Sequence, residues 1–403
     1  MARAYCIKFL IAASLVFFGT ALFNYIADPY SIWGSPSIKG VNTSKYSVFH
    51  ERIQSYVSWS HWPKPPSTIL LGTSRTADGL RENHPTFQND TTYNMALGGQ
   101  PIDETLLLFK HALKSGKLKK VVIGLDFFAF NAYWAADSAD QEKRLTPGLN
   151  LDLLFNSSTL SDSFTTLRQS FPALGIVRSA QGAEAESLNN APASPGILPM
   201  RVLFKEVEKI YVDYHRPYPY RIYSYSNAKK GNNTINDFRE LLKIAYANNI
   251  ELHLLISPSH AWHWEGLANV ELWQDWEQWK RTLTRINAEE ANKSAKPIYP
   301  IWDFSGYNSI TTETVPATNS ADRMKWYSDS SHYNRACGDL ILDRVFSLSD
   351  ASMPIPDDFG ILIDEHNITT HLKDIRRARA HYAETHPSDV QEMAKFIKLF
   401  WNH

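Results

Sequence analysis

Cysteine is scarce in this sequence, because its 403 residues include only Cys6 and Cys337. No group of Cys and His residues has the spacing of a zinc site, which excludes the common structural zinc motifs. We expect the two cysteines on opposite sides of a membrane, so an intramolecular disulfide is excluded as well. A chain of this size can instead be stable through its hydrophobic core alone.

An excess of charge of one sign is also lacking. Lys and Arg total 41 and Asp and Glu total 42, which gives a net charge of −1. Nucleic-acid-binding domains usually carry a basic excess, so the sequence predicts no nucleic-acid partner. Hydrophobic residues make up 43% and charged residues 21%, which excludes a wholly disordered or fibrous chain. Aromatic residues are abundant at 13%, and we expect most of them in the core.

The N-terminal region contains an uncharged apolar stretch from Phe9 to Ala27. Its length is close to the roughly 20 residues that cross a bilayer. Arg3 and Lys8 precede it, and this flanking positive charge predicts a cytoplasmic N-terminus. No small-x-small cleavage site follows the stretch, which favours an uncleaved anchor over the alternative of a cleaved signal peptide. Both alternatives place the rest of the chain outside the cytoplasm.

Five short apolar runs predict strands, because each ends in small or polar residues typical of turns. The runs are Ser67–Ser74, Thr91–Gly99, Lys119–Asp126, Ile250–Ser257 and Pro297–Phe304. Helical spacing predicts helices between and after them, at 101–115, 236–248, 270–289 and 334–348. The alternation predicts an α/β fold, a three-layer α/β/α sandwich around a mostly parallel five-stranded sheet. Pro300 indicates that the fifth strand lies at the edge.

Composition divides the chain into four parts. We interpret residues 1–27 as a membrane anchor and 28–66, which are rich in Pro, Ser, Tyr and Trp, as a connector that packs on the body. Residues 67–348 form the α/β domain, and 349–403 form a helical tail. Loop-like segments interrupt the α/β alternation at about 132–230, and we interpret them as an insertion that forms a cap.

Ligands of parallel sheets bind outside the carboxyl ends of the strands. One polar motif follows the first predicted strand, and a second precedes the last helix of the body. Ser74 directly follows the first strand, a position that suits a nucleophile but more often holds a helix N-cap. Asp329 and His332 lie three residues apart in a polar loop. There, the carboxylate can orient the imidazole as a general base. An ordinary capping loop is the alternative for this pair.

The order of these motifs resembles that of the SGNH hydrolase superfamily: a serine after strand one, a Gly-rich turn after strand two, and Asp-x-x-His before the last helix. The resemblance covers about residues 67–348 and extends to membrane-anchored bacterial proteins of cell-surface polysaccharide O-acetylation. It implies the flavodoxin-like fold of that superfamily. It also implies a catalytic triad in which Ser74 is the nucleophile, His332 the base and Asp329 the orienting carboxylate.

The resemblance further implies an oxyanion hole made from backbone N–H groups. Ser74 supplies one of them, and Gly99, five residues after Asn94 as in the second block of the superfamily, supplies the other. Gly98 is the alternative to Gly99 in the same turn.

The sequence departs from the superfamily at two positions. Thr73 stands where the first block usually has Asp, and Leu125 stands where the third block usually has an Asn that donates to the oxyanion. Loss of one such donor typically lowers the rate by about 10²–10³. Asn131 is a candidate to supply the missing amide.

Three further polar residues are candidates for binding substrate: Arg75, Asp126 and His260. Arg75 could bind an anionic sugar carboxylate, with a salt bridge to a neighbouring residue as the alternative. His260 could contact substrate, with a hydrogen-bonded structural histidine as the alternative. A tryptophan cluster follows the fourth strand, at Trp262, Trp264, Trp273, Trp276 and Trp279. Within it, Trp273, Trp276 and Trp279 lie at i, i+3 and i+6 and form a helical stripe. Such a stripe is usually core, and a sugar-stacking surface is the alternative.

The first functional hypothesis is an extracytoplasmic serine acyltransferase or esterase acting on O-acyl groups of a cell-envelope polysaccharide. The triad mechanism needs no metal and no cofactor. We expect the protein in the bacterial inner membrane, which it crosses once, with its catalytic domain in the periplasm. If the reaction is transfer, we expect a membrane acyl-donor protein to supply the acyl groups. The second hypothesis is a catalytically weak or inactive scaffold or glycan-binding subunit of a polysaccharide machine. A third is a lipase-like hydrolase with the insertion as its lid.

Overall fold

The structure is a computed structural model that describes residues 2–45, 51–134, 138–146, 148, 150–171, 198–348 and 353–401. The chain forms two compact units. Unit 1 consists of Met1–Pro63 and Ala139–Leu188, and unit 2 consists of Lys64–Ser138 and Asn189–His403. Residues 172–197, a large part of the predicted cap, lie outside the described residues.

The helices and strands have the following bounds. The strands are β1 Thr68–Leu71, β2 Thr92–Asn94, β3 Lys120–Leu125, β4 Ser226–Asn227, β5 Asn232–Asn233, β6 Glu251–Ile256, β7 Ile301–Asp303 and β8 Ile361–Ile363. The helices are α1 Ala2–Ala27, α2 Glu51–Ser60, α3 Ser74–Gly79, α4 Ile102–Leu113, α5 Ser138–Arg144, α6 Leu151–Leu154, α7 Ser157–Ser170, α8 Met200–His215, α9 Thr234–Ala247, α10 Ala261–Asn269, α11 Trp273–Ser294, α12 Arg335–Phe346, α13 Ile368–Thr385 and α14 Pro387–Trp401. Short 3₁₀ turns lie at Pro85–Phe87 and Phe127–Phe130.

Unit 2 is built around a six-stranded sheet with the order β2-β1-β3-β6-β7-β8. The first five strands in this order run parallel, and β8 pairs antiparallel with β7. All four residues of β1 and the last five of β3 are buried, because helices cover both faces of a parallel sheet. The mostly parallel α/β sheet was therefore predicted correctly, although it has six strands rather than five.

The sixth strand corrects two details of the prediction. β8 belongs to the segment predicted as a wholly helical tail, and it covers the outer side of β7. The expectation that Pro300 marks an edge strand is therefore wrong. Pro300 precedes β7 instead of lying within it, and its carbonyl accepts a hydrogen bond from the N–H of Leu254 at 3.1 Å.

The strand order explains where the helices lie. The chain steps from β1 outward to β2 and then returns to β3 on the other side of β1, so its crossovers reverse direction between β1 and β3. Right-handed crossovers then place α3 on one face and α4, α9 and α11 on the other. The packing agrees, since α9 contacts α4 and α11 while α3 contacts α12. The point between β1 and β3 is the switch point at which such sheets bind ligands.

Unit 1 contains the N-terminal helix α1, which is long and apolar enough to span a membrane or to act as a signal sequence. Its apolar side chains from Phe9 to Leu22 are largely exposed. Its last turns pack on α6 and α7. There the side chain of Asn24 donates to the carbonyl of Leu154 at 2.9 Å and accepts from the hydroxyl of Ser163 at 2.9 Å. Parts of the predicted connector and cap thus fold together with the end of this helix.

Candidate active site

The candidate nucleophile lies at the switch point of the sheet. β1 ends at Leu71, and Ser74, three residues later, begins α3. Thr73, rather than Ser74, is the N-cap of this helix, because its hydroxyl accepts a hydrogen bond from the N–H of Arg75 at 3.3 Å. The capping alternative for Ser74 is therefore wrong, and its half-buried hydroxyl is available for another partner.

That partner is the imidazole of His332. Ser74 Oγ lies 2.7 Å from His332 Nε2, and His332 Nδ1 lies 2.7 Å from Asp329 Oδ2. An ionised carboxylate can only accept, so Nδ1 carries the ring proton and Nε2 accepts from the serine hydroxyl. The structure thus brings together the three residues that the sequence motifs singled out, in the relative arrangement of a Ser-His-Asp triad.

Asp329 is held in its ionised form by several donors. Its Oδ1 accepts from the backbone N–H groups of Ser331 and His332 at 2.7 and 2.8 Å. Burial raises the pKa of Asp329, but the neighbouring His332 and these hydrogen bonds together bring it below its usual value. Burial likewise lowers the pKa of His332, and Asp329 overcomes this and raises it above the usual value. The pair therefore favours a base that readily accepts a proton.

Close helix packing brings the histidine loop to the serine. α3 and α12 cross where Gly338 meets the backbone of Gly79, and a Cβ on Gly338 would lie only 1.8 Å from the Gly79 carbonyl oxygen. Asn334 caps the start of α12 by accepting from the N–H of Cys337 at 3.2 Å. The loop itself is closed by a hydrogen bond of 2.9 Å from Ser328 N to His332 O. The glycine contact therefore sets how closely His332 can approach α3.

The Gly-rich turn after β2 lies beside the serine. The N–H of Leu97 donates to the carbonyl of Gly72 at 3.1 Å, which continues the pairing of β2 with β1 beyond the strand ends. Gly99 then adopts a φ of +62°, a left-handed conformation that glycine favours. Among the hydrogen bonds of the described residues, none uses the N–H of Ser74 or Gly99 as its donor. Both groups thus suit the predicted oxyanion hole, with Gly98 next to Gly99 in the same turn.

Asn131 does not replace the oxyanion-donating amide that is missing at Leu125. Leu125 is buried. The Asn131 amide nitrogen donates to the carbonyls of His215 and Ile222 at 2.9 and 3.0 Å. Asn131 is fully buried, so the expectation that it donates to an oxyanion is wrong. It instead holds two backbone segments together.

Arg75 and Asp126, predicted to bind substrate, are bonded to each other inside the protein. Arg75 Nη1 lies 2.6 Å from Asp126 Oδ1, and both side chains are at most 2% exposed. Asp126 Oδ2 accepts from the hydroxyl of Thr73 at 2.6 Å, and Arg75 Nε donates to Ser331 Oγ at 2.9 Å. The expectation of substrate contact is corrected, because burial and these bonds leave no polar atom for a ligand. Arg75 instead joins the serine turn to the residue before His332.

The buried network continues beyond what the sequence indicated. Arg75 Nη2 contacts His263 Nε2 at 3.1 Å, and His263 Nδ1 contacts Glu208 Oε1 at 3.0 Å. Because an arginine can only donate, His263 Nε2 accepts and its proton lies on Nδ1. Burial raises the pKa of Glu208 to about 7. The Arg75 guanidinium also lies 4.8 Å from the ring centroid of Tyr211. These partners come from α8 and α10, and no local sequence pattern marks them.

His260, the third substrate-binding candidate, is also structural. It is fully buried, Nε2 lies 2.7 Å from the carbonyl of Glu313, and Nδ1 accepts from the N–H of Trp262 at 3.2 Å. This corrects the expectation of substrate contact and agrees with its structural alternative. Four tryptophans of the predicted cluster are buried core residues: Trp262, Trp264, Trp276 and Trp279. The half-exposed Trp273 lies under the guanidinium of Arg379 at 4.5 Å.

Among the residues that the structure describes, no group of three or more His, Cys, Asp or Glu is placed to hold a metal ion. The two cysteines are free, with Cys6 exposed and Cys337 buried. The chemistry that the arrangement itself offers is proton transfer between a hydroxyl and an imidazole, next to two unpaired backbone N–H groups.

Comparison with known proteins returned no matching family model and no matching curated protein. Among solved structures, the chain is similar to a “putative acylhydrolase” from Bacteroides fragilis NCTC 9343, at 16% identity and a TM-score of 0.31, over 75% of this chain and 95% of that one. It is also similar to a GDSL-like lipase from Bacteroides thetaiotaomicron VPI-5482, at 14% identity and a TM-score of 0.28, over 70% of this chain and 85% of that one. At these values the likeness is too distant to transfer an activity.

Proposed function

We propose that this chain is a serine esterase or acyltransferase that acts on O-acyl groups, acetyl groups foremost, of a cell-envelope polysaccharide. The observation that supports this most is the continuous hydrogen-bonded chain from Asp329 through His332 to Ser74, with 2.7 Å at each link. Three residues from two distant segments meet in the geometry that activates a serine for attack on a carbonyl carbon.

In the first half-reaction, Ser74 Oγ attacks the acyl carbonyl carbon and its proton passes to His332 Nε2. The N–H groups of Ser74 and Gly99 stabilise the oxyanion that forms on the carbonyl oxygen. The bond to the sugar oxygen then breaks, and His332 returns the proton to that oxygen. The products are a free sugar hydroxyl and an acyl ester on Ser74.

In the second half-reaction, a hydroxyl compound gives its proton to His332 and attacks the acyl ester on Ser74, which regains the proton. With water as this compound the reaction is hydrolysis, and with a sugar hydroxyl it is transfer, so the exclusion of water decides between them. For transfer we propose that a membrane protein presents the acyl donor in the first half-reaction, so that the bond that breaks is the one to the donor atom and His332 returns the proton to that atom. We further propose that α1 anchors the chain in the bacterial inner membrane and that unit 2 works in the periplasm.

The proposal is tested with the full chain in detergent micelles and p-nitrophenyl acetate as substrate. Ser74→Ala is expected to abolish the enzyme-dependent release of p-nitrophenol, because it removes the hydroxyl that forms the acyl ester. Mass spectrometry of a quenched reaction is expected to find one acetyl group on the peptide containing Ser74. Ser161→Ala, which changes an exposed serine of α7, is the matched control and should retain full activity. Equal rates for Ser74→Ala and the unaltered chain would refute the proposal.

A second candidate function, the catalytically weak or inactive glycan-binding scaffold, has one observation in its favour. Leu125 occupies the position of the third-block amide, and the Asn131 amide is engaged by two carbonyls. This candidate predicts no acetyl-serine in the quenched reaction and glycan binding that is unchanged by Ser74→Ala. The same set of measurements therefore separates the two functions.

A further inference from the structure

Beside the triad lies a group of aromatic side chains that takes no part in it. This aromatic ledge consists of Tyr133, Trp134, Tyr214, Tyr218 and Tyr220. Tyr218 is 78% exposed and Tyr220 is 48% exposed, and the other three are half-buried. Two ring pairs lie within the group, with centroids 4.5 Å apart for Trp134 and Tyr214 and 5.0 Å apart for Tyr133 and Tyr220, and Tyr218 precedes Tyr220 by two residues.

The inner end of the ledge touches the predicted oxyanion hole. The indole N–H of Trp134 donates to the carbonyl of Gly99 at 2.8 Å. A Cβ on Gly99 would lie 3.2 Å from the edge of the Trp134 ring. On the other side, Tyr214 lies 5.2 Å from Tyr211, whose ring is 6.4 Å from that of His332. The ledge therefore extends outward from the place where a substrate carbonyl would lie.

The ledge is held by buried hydrogen bonds. The Asn131 amide nitrogen donates to the carbonyls of His215 and Ile222. Its amide oxygen accepts from the N–H groups of Tyr133 and Ser224 at 3.2 and 3.3 Å. The two chain segments that carry the aromatic rings are thus fixed to each other by one side chain. A binding surface that is already ordered loses less entropy when its ligand binds.

We propose that the aromatic ledge is a carbohydrate subsite that binds sugar rings of the chain whose acyl group reaches Ser74. This deepens the proposed function and rests on it for the position of the acyl group. Four of the five side chains are tyrosines, which combine a flat apolar face with a hydroxyl. Sugar rings present the complementary combination of apolar C–H faces and hydroxyl groups. An open, hydroxyl-bearing surface fits a sugar better than it fits a fatty acyl chain, which needs an enclosed apolar pocket.

Binding is measured with the full chain carrying Ser74→Ala, so that no turnover occurs. The probes are cellohexaose, chitohexaose and hexagalacturonate, titrated separately by isothermal calorimetry in detergent micelles. At least one probe is expected to bind. Adding Tyr218→Ala and Tyr220→Ala together should raise its Kd about tenfold, as for truncation of aromatic side chains at a binding surface. These two residues are exposed, so their removal should leave the unfolding midpoint unchanged.

Phe164→Ala is the matched control, because it removes an aromatic ring of unit 1 that is 57% exposed and lies outside the ledge. It should leave the Kd unchanged. Failure of all three probes to bind, or a Kd that is unaffected by the two tyrosine substitutions, would overturn the subsite. Binding that depends on the ledge in a chain without esterase activity would instead keep the subsite and remove the proposed function.

A membrane surface is the other environment that accepts tyrosine and tryptophan. To distinguish it, Tyr218→Cys in a Cys6→Ser background is labelled with a polarity-sensitive dye and reconstituted into phosphatidylethanolamine–phosphatidylglycerol vesicles. For a carbohydrate subsite the dye emission is expected to remain that of a water-exposed site. A blue shift on reconstitution, absent in micelles, would place the ledge against lipid and overturn the proposal.

Discussion

Replacing Asp126 by Asn removes one charge from the buried network behind the triad. In the native protein, Asp126 Oδ1 lies 2.6 Å from Arg75 Nη1, and Oδ2 accepts from the Thr73 hydroxyl at 2.6 Å. An asparagine has nearly the same size, so packing around the site is retained. The substitution therefore removes the charge and replaces one of the two acceptor oxygens by an NH₂ donor, without changing the volume.

The expected cost follows from burial. Arg75 cannot lose its proton, and its side chain is only 2% exposed, so the variant keeps a charged guanidinium without its counter-ion. The remaining partners, Ser331 and His263, are neutral, and Glu208 contacts His263 rather than the guanidinium. Removing one partner of a buried ion pair typically costs about 3–5 kcal/mol, and we expect Asp126→Asn to lower the free energy of unfolding by that amount.

The assay is urea unfolding of the full chain in micelles, followed by tryptophan fluorescence, with the free energy taken from the midpoint and slope. Asp213→Asn is the matched control, because Asp213 lies at the same 2.6 Å from Arg221 but the two side chains are 59% and 41% exposed. An exposed pair is worth about 0–1 kcal/mol, so this control should change little. Equal losses for the two variants would refute the reasoning that burial sets the cost.

A double variant, Arg75→Met with Asp126→Asn, extends the test to function. It removes both charges, so it should be more stable than Asp126→Asn, because hydrophobic replacement of a buried pair is often neutral. It also removes the hydrogen bond from Arg75 to Ser331, the residue before His332. We therefore expect stability without full esterase activity. Full activity in the double variant would contradict a positioning role for Arg75.

Three further outcomes are expected. Because Asp329 raises the pKa of His332 above 6.5, the acid limb of kcat/KM with p-nitrophenyl acetate should have its midpoint above pH 6.5, and a midpoint below it would contradict the geometry. The same raised pKa of His332 stabilises the folded state; this contribution is fully present below pH 6.5 and is lost as the pH rises through the pKa of the folded state. Asp329→Asn should remove this pH dependence of the free energy of unfolding, and it should lower kcat by about 10⁴. Gly338→Ala should destabilise the fold by about 1–3 kcal/mol or more in the urea assay, because its Cβ would meet the Gly79 carbonyl at 1.8 Å; an unchanged midpoint would show that α12 can move away.

The main strands could be predicted because each is a buried apolar run. β1, β3 and β6 lie inside their predicted runs, since both faces of these central strands are covered and most of their residues are buried. β8 is apolar as well, with the sequence Ile-Leu-Ile, but it is short and mostly exposed. It has three residues, of which Ile361 and Leu362 are 36% and 48% exposed, and it follows a segment of turn-forming residues. Its place beside β7 is decided by tertiary packing of the tail.

The meeting of Ser74, Asp329 and His332 could be predicted because their motifs keep a fixed order and a local spacing, with Asp329 three residues before His332. Their catalytic roles stay a prediction. For Arg75 the sequence left two roles open, substrate binding and the salt bridge that the structure shows, because arginine binds ligands or pairs internally with similar ease. Two features decide between these roles. The Arg75–Asp126 pair is buried, and His263 and Glu208, from helices far away in sequence, extend its hydrogen bonds. The spacing of residues within one segment cannot predict a contact between side chains of such distant segments.

The aromatic residues fall into two groups, buried tryptophans of the core and exposed tyrosines of the ledge. Trp276 and Trp279 of α11 follow helical spacing and are buried, because a regular stripe is what a helix needs to pack on a core. The tyrosines between 214 and 225 follow no helical or strand period, and two of them stand largely in solvent. Tyr220 packs on Tyr133 and Tyr218 lies under the guanidinium of Arg221, yet both rings keep much of their surface in solvent, and it is this exposed surface that the proposed carbohydrate subsite explains.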